Sequence, residues 1–261
     1  MQALDDIYTR IKMYAFIGPV KFLSISKAKH SKHILHIGAH EGQEFEAYSM
    51  LGFKDIFWVE AIPEVFERLK NRVGESNCAS ALLWSSNDEK LRFNIANNEV
   101  SSSAFSFTDQ TPWDNVRMVR EIELQTSTLD SLVLKGILRE DFLDGALLVL
   151  DVQGAELEVL KGSLESISLF SAVSVEVSRK HFYQGSAKYK SIHLFLKSHG
   201  YKKIAEWVDP KIGHGDALYV AKTVSVGFKS LLIGRCISLF HFHYLLFRAL
   251  ERRGLIKLST L

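Results

Sequence analysis

His33-Ile34-Leu35-His36-Ile37-Gly38-Ala39-His40-Glu41-Gly42-Gln43, followed by Ile56-Phe57-Trp58-Val59-Glu60, decides the fold. An apolar strand runs into a turn of small residues, a polar helix start follows, and a second apolar strand ends on an acid. That order is the first half of a doubly wound α/β nucleoside site. Glycine in the turn lets backbone approach a ligand closely. Glu60, at a spacing of about twenty residues from the turn, can accept hydrogen bonds from both hydroxyls of a ribose.

Two ligands compete for such a site. The dinucleotide fingerprint G-x-G-x-x-G needs a bare second glycine against the pyrophosphate, and here that position carries the imidazole of His40. Glu41 would also face a diphosphate at the helix start, where an anion should sit unopposed. S-adenosylmethionine has no phosphate and carries a sulfonium cation, so a G-x-x-x-G turn with acids around it suits that cofactor better. NAD-dependent redox chemistry is therefore disfavoured.

The chain has 261 residues, enough for one substantial core with a small appendage. A hydrophobic content of 47% with 24% charged residues is ordinary for a globular protein. The net charge of +2, with no long basic run, gives no reason to expect nucleic acid as a partner. Cys78 and Cys236 lie far apart and at no zinc-like spacing from histidine, which argues for a reducing compartment and against a structural metal. Met1–Asp6 lacks the features of a signal peptide, so the expected location is the cytoplasm.

Residues 1–30 suit an amphipathic helix interrupted at Gly18-Pro19 and read as a cap on the main domain, residues 31–223. A helix from Gln43 ends at Gly52, Pro63 opens another that stops at Gly74, and a third strand is expected near Ala79–Leu83. Residues 91–129 break the α/β alternation and read as an insertion. Leu91–Ile95 and Glu121–Thr126 alternate as half-buried strands, with polar segments between them. The regular pattern resumes at Ala146–Leu150, which ends on Asp151, and continues through the strand Ala172–Val177 and a helix over 188–199. Strands near Tyr201–Val208 and Asp216–Ala221 are joined like a hairpin, so one edge is expected to turn antiparallel. Continuous apolar strands suit a parallel sheet covered on both faces.

Taken together, Ile37–Gly42, Val59–Glu64, Ser101–Ser103, Ser127–Leu132, Asp151–Glu156, Glu176 and Gly215–Val220 occur in an order that resembles the FkbM family of S-adenosylmethionine-dependent methyltransferases, over about residues 33–222. Two departures stand out. His36 occupies a position usually held by aspartate, and Gln153 one where glutamate is more usual. The resemblance implies a class I methyltransferase-like Rossmann fold, with a mostly parallel seven-stranded sheet and an antiparallel strand near one edge. It also implies O-methylation of hydroxyls on sugars, glycans or other natural products. Gly38, Ala39, His40, Gly42, Glu60, Ala61, Ala81 and Leu82 are the expected cofactor contacts. No metal is expected.

Methyl transfer needs an acceptor hydroxyl held in line and a base within reach. Asp151 is the first candidate for that base, against a plain role capping the helix expected at Gln153. Glu176 is the second, because a lone carboxylate in Val173–Val177 is costly to bury. His181 is the third, and His214 could also serve. Glu156 reads as a helix-start residue, and His40 as shaping the cofactor pocket. Ser101–Ser103 and Trp113 read as an acceptor-binding lid, or else as a solvated loop. From Val224 to Leu261 an apolar helical face with Arg235, Arg248 and Arg252 on a narrow stripe suits packing on the domain, a homodimer contact or a membrane surface. A non-catalytic nucleoside-binding or scaffold protein on the same fold is the competing functional reading.

Overall fold

The computed structural model describes residues 18–25, 33–209, 211–227 and 231–232. In chain order it has α1 (Gly18–Ile25), β1 (His33–Ile37), α2 (Phe45–Met50), β2 (Asp55–Glu60), α3 (Pro63–Val73), β3 (Cys78–Ser80), β4 (Leu82–Leu83), β5 (Lys90–Ala96) and β6 (Met118–Ser127). These are followed by α4 (Leu129–Leu134), α5 (Glu140–Leu143), β7 (Leu147–Leu150), α6 (Glu156–Lys161), β8 (Ala172–Ser178), α7 (Tyr189–Ser198), β9 (Tyr201–Val208) and β10 (His214–Ala221).

The main sheet has seven strands in the order β3-β2-β1-β7-β8-β10-β9. The first five run parallel, and β10 pairs antiparallel with both β8 and β9. The expected mostly parallel, doubly wound sheet is thus present. Its apolar strands are buried on both faces. Leu35, Leu148, Val173 and Tyr219 face one cluster with Leu132, Leu160 and Ile192. Ile34, Trp58, Val149 and Leu218 face the other with Phe22, Tyr48 and Leu69. Strand order reverses between β1 and β7, so the crevice beyond their carboxyl ends is the place where a ligand fits.

Several local expectations change. Gly18 and Pro19 belong to α1, and the residues before them, where the expected interrupted helix would begin, lie outside the described residues. The expected third strand splits. β3 stays at the edge of the main sheet, while β4 crosses to a second sheet of order β4-β6-β5. The other two strands of that sheet come mainly from the insertion, and the inner residues Phe93 and Ile95 pack with Ile62, Val65 and Leu82. The helix after Asp151 begins only at Glu156, because Gln153 and Gly154 both adopt left-handed backbone, at φ 52 and 100. The rest of the expected amino-terminal cap and nearly all of the 224–261 helix lie outside the described residues. Among the described residues no helix is long and apolar enough to cross a membrane.

Candidate active site

A cavity of about 450 Å³ opens at the carboxyl ends of β1, β2 and β7. Gly38, Ala39, His40, Glu60, Ala61, Ala81 and Leu82 line it, as does Asp151. Gly42 does not. It is bare because Leu69 Cδ1 would lie 3.0 Å from a Cβ there. Gly38 also serves packing rather than ligand approach, since a Cβ would sit 1.8 Å from the carbonyl oxygen of Asp151. Gly38 is thus dictated by how closely β1 and β7 meet, and Gly42 by the packing of α3.

Glu60, at the tip of β2, accepts the backbone N–H of Ile62 on Oε1 at 2.8 Å and that of His40 on Oε2 at 2.9 Å. Each oxygen retains acceptor capacity. Burial pushes this carboxyl above its ordinary range, and the backbone donors partly offset that. Ile62, Leu82 and Phe93 give the cavity apolar walls. Its rim carries His40, held with left-handed backbone (φ 46) and bonded through Nδ1 to the Gln43 amide at 2.6 Å. His40 Nε2 is buried with no hydrogen-bond partner among the described residues.

These observations test which nucleoside fits. Glu44, Glu60, Glu99 and Asp151 line the cavity, and among the described residues no lysine or arginine does. Arg68 at the rim pairs with Glu99, which leaves Glu44, Glu60 and Asp151 without a basic partner on the lining, a set of carboxyls that suits a sulfonium and an ammonium better than a pyrophosphate. The residues present therefore fit S-adenosylmethionine. His36 cannot supply an anionic contact. It is fully buried, stacked 5.1 Å from Trp58, and desolvation holds its pKa down to about 3, so it stays neutral. Glu44, whose carboxyl burial pushes up, offers the carboxylate that His36 lacks. It escaped notice in the sequence because it falls in an unremarkable polar helix start.

Beside the cavity, register builds a row of acids. Asp216 on β10 is the cross-strand partner of Glu176 on β8, and Asp151 lies one residue beyond the Leu150–Val175 pair. All three lie on the same face, where like charges directly opposite are destabilising. Glu176, costly to bury without a partner, is half-buried with His214 Nε2 3.0 Å from its Oε1. Burial lowers and Glu176 raises the His214 imidazole, with a net value of about 9. Asp151 is pushed well up, by desolvation first and then by Glu176 and Asp216. Desolvation and Glu176 lift both Glu156 and Asp216 to about 7.

The helix-capping role weighed for Asp151 is not observed. Its Oδ1 accepts instead from Gln153 Nε2 at 2.6 Å. Glu156 is buried and accepts the Gly154 N–H at 3.0 Å. His181 lies away from the cavity lining, with Nδ1 bonded to the Ser186 carbonyl at 3.1 Å. His214 holds the place beside the acids, packed edge-on to Trp113 and Phe182. Ser101–Ser103 are buried, not solvated, and Ser103 Oγ donates to the Gln153 carbonyl at 2.7 Å. Tyr183 went unremarked in the sequence, yet its hydroxyl donates to Gln153 Oε1 at 2.7 Å.

The FkbM methyltransferase domain model matches residues 36–203. The chain belongs to this family. It is an S-adenosylmethionine-dependent methyltransferase, with the cavity and the acid row inside or beside the matched segment. Solved structures similar to this FkbM chain include Streptococcus pneumoniae Sp1610, a candidate tRNA (m1A22) methyltransferase in complex with S-adenosyl-L-methionine, at 11% identity and TM-score 0.43, covering 82% of this chain and 78% of that one. A SAM-dependent methyltransferase from Aquifex aeolicus is 15% identical at TM-score 0.40, covering 80% and 91%. Aeropyrum pernix fibrillarin with natively bound S-adenosyl-L-methionine is 15% identical at TM-score 0.40, covering 74% and 67%. No match is found among curated proteins.

Proposed function

We propose that this methyltransferase acts on a hydroxyl oxygen of a sugar, a glycan or a similar natural product, with residues 31–223 as the catalytic domain. The observation that carries this reading is the position of Asp151. It lines the donor cavity, is raised by burial, and stands next to Glu176 in the row of acids. A raised carboxyl is a stronger base, which an alcohol needs as its proton leaves.

The cofactor, when bound, supplies an electrophilic methyl carbon and leaves as a neutral thioether. Glu60 would hold the ribose hydroxyls on the acceptor capacity its two backbone donors leave over. Ala61, Ala81, Leu82, Ile62 and Phe93 would enclose the adenine, and Glu44 would face the ammonium group. Gly38, Ala39 and His40 shape the turn beneath them. Asp151 Oδ1 already accepts from Gln153, so Oδ2, which carries no such bond, is the oxygen that would take the acceptor's proton more readily. Phe107 and Trp113, half-buried beside His214 and packed on the buried Phe182, offer flat apolar surface to a sugar ring.

Calorimetry with S-adenosylmethionine and its demethylated product, together with transfer of labelled methyl to a panel of sugars and hydroxylated natural products, tests this. Glu60→Ala is expected to weaken cofactor binding by about tenfold to a hundredfold. Asp151→Asn is expected to keep binding and lose transfer. Methyl arriving on nitrogen, or full transfer by Asp151→Asn, would overturn the proposal.

A further inference from the structure

Two segments remote in sequence converge on the side chain and carbonyl of Gln153. From the insertion, Ser103 Oγ donates to the Gln153 carbonyl oxygen at 2.7 Å. From the turn after β8, the Tyr183 hydroxyl donates to Gln153 Oε1 at 2.7 Å. The other end of the amide faces the acids. Nε2 donates to Asp151 Oδ1 at 2.6 Å and reaches the two oxygens of Glu176 at 3.2 and 3.4 Å. A primary amide carries two hydrogens on nitrogen and only acceptors on oxygen. One N–H can therefore serve each carboxylate, while the oxygen takes the phenolic proton. A half-turn of the amide would set its oxygen against both carboxylates.

We propose that Gln153, anchored by Tyr183, is a positioning residue that holds Asp151 and Glu176 in one arrangement through a shared NH2 group and leaves Asp151 Oδ2 for the acceptor's proton. This rests on the reading of Asp151 as the proton acceptor. The clamp answers a problem the fold creates, because β7 and β8 bring two carboxylates side by side where like charges repel. Its backbone is fitted to the task. Gln153 sits at φ 52, a conformation L-residues avoid. Gly154 leaves room for the anchor, since a Cβ there would lie 3.2 Å from Tyr183 Cδ2. The Tyr183 ring is packed against Phe107 and Trp113, so removing its hydroxyl leaves the packing in place. The other ionisable groups facing the pair are Glu156 at the start of α6, Asp216 and His214 on β10, and Tyr48 on α2.

Carbon-13 NMR titration of the full chain labelled at aspartate Cγ tests the clamp, with the Asp151 signal assigned through Asp151→Asn. Hydrogen bonds to the charged form hold a carboxyl down. Gln153→Met is expected to raise the Asp151 midpoint by about one unit or more. Gln153→Glu, which adds a third carboxylate, should raise it further, and Tyr183→Phe less. Melting curves identify any variant that fails to fold. A Gln153→Met protein that folds with an unchanged Asp151 midpoint overturns the clamp. If the midpoints follow the stated order but Asp151→Asn still transfers methyl, the clamp stands and the base assignment falls.

Discussion

A methyl group added at position 38 would collide with main chain, because the Asp151 carbonyl oxygen occupies the space 1.8 Å away and the backbone there has φ 81. Neither partner is a side chain that can swing aside. Gly38→Ala is therefore expected to cost about 3 kcal/mol or more, or to prevent folding, as urea denaturation would show. Asp216 makes a different residue-scale test. Its carboxyl titrates near 7 in the fold, against about 3.9 for a free aspartate. The folded state therefore favours the protonated acid, and the stability that depends on it is complete below about pH 4 and lost as pH rises to about 7. His214, lifted to about 9, adds stability that is complete below about pH 6.5 and lost as pH climbs through 9. Both terms make the protein less stable toward alkaline pH. Asp216→Asn should melt higher than wild type at pH 8 and close to it at pH 4.5; equal melting temperatures at both would refute this account.

At the scale of elements, Arg68 on α3 ties two loops across the cavity rim. Its Nε donates to Glu41 Oε1 at 2.5 Å, and its Nη2 donates to Glu99 Oε2. The pair network is exposed, so its effect on global stability is small. It does join the glycine turn to the insertion, two segments that border the cavity. Arg68→Ala is expected to weaken S-adenosylmethionine binding by about threefold to tenfold with little change in melting temperature, as calorimetry would measure. A plain capping test lies nearby. Thr128 accepts the Ser131 N–H at 3.0 Å at the start of α4, and Thr128→Ala should cost about 1 kcal/mol in urea titrations.

The same scale explains which features could be read from the chain alone. The strands Ala146–Leu150 and Ala172–Val177 announced themselves as continuous apolar runs, and the antiparallel last pair followed from its short connection. Glu60 was legible because its spacing from the turn is set by one β-α-β unit. The row Asp151–Glu176–Asp216 was only partly so. Asp151 and Glu176 stood out singly, but their adjacency depends on register between strands, which no single strand encodes. His214 reaches Glu176 through that same register, so nothing local favoured it over His181. The late start of α6 was hidden too, since left-handed Gln153 is a conformation that composition argues against.

At the scale of the whole molecule, ligand binding and folding share one equilibrium. A ligand that binds only the folded state stabilises it by about 2.7 kcal/mol at a hundredfold excess over its dissociation constant. Adding S-adenosylmethionine should therefore raise the melting temperature in a concentration-dependent way, and Glu60→Ala should abolish most of that rise. The sheet order carries another consequence. β10 is the last strand among the described residues yet occupies an interior slot between β8 and β9. During synthesis the ribosome must release residues through Ala221 before β8 loses its open apolar edge, at about 5–20 residues per second. Until then the nascent polypeptide exposes an unsatisfied hydrogen-bonding border, so its shielding by chaperones matters most in the seconds before that strand emerges.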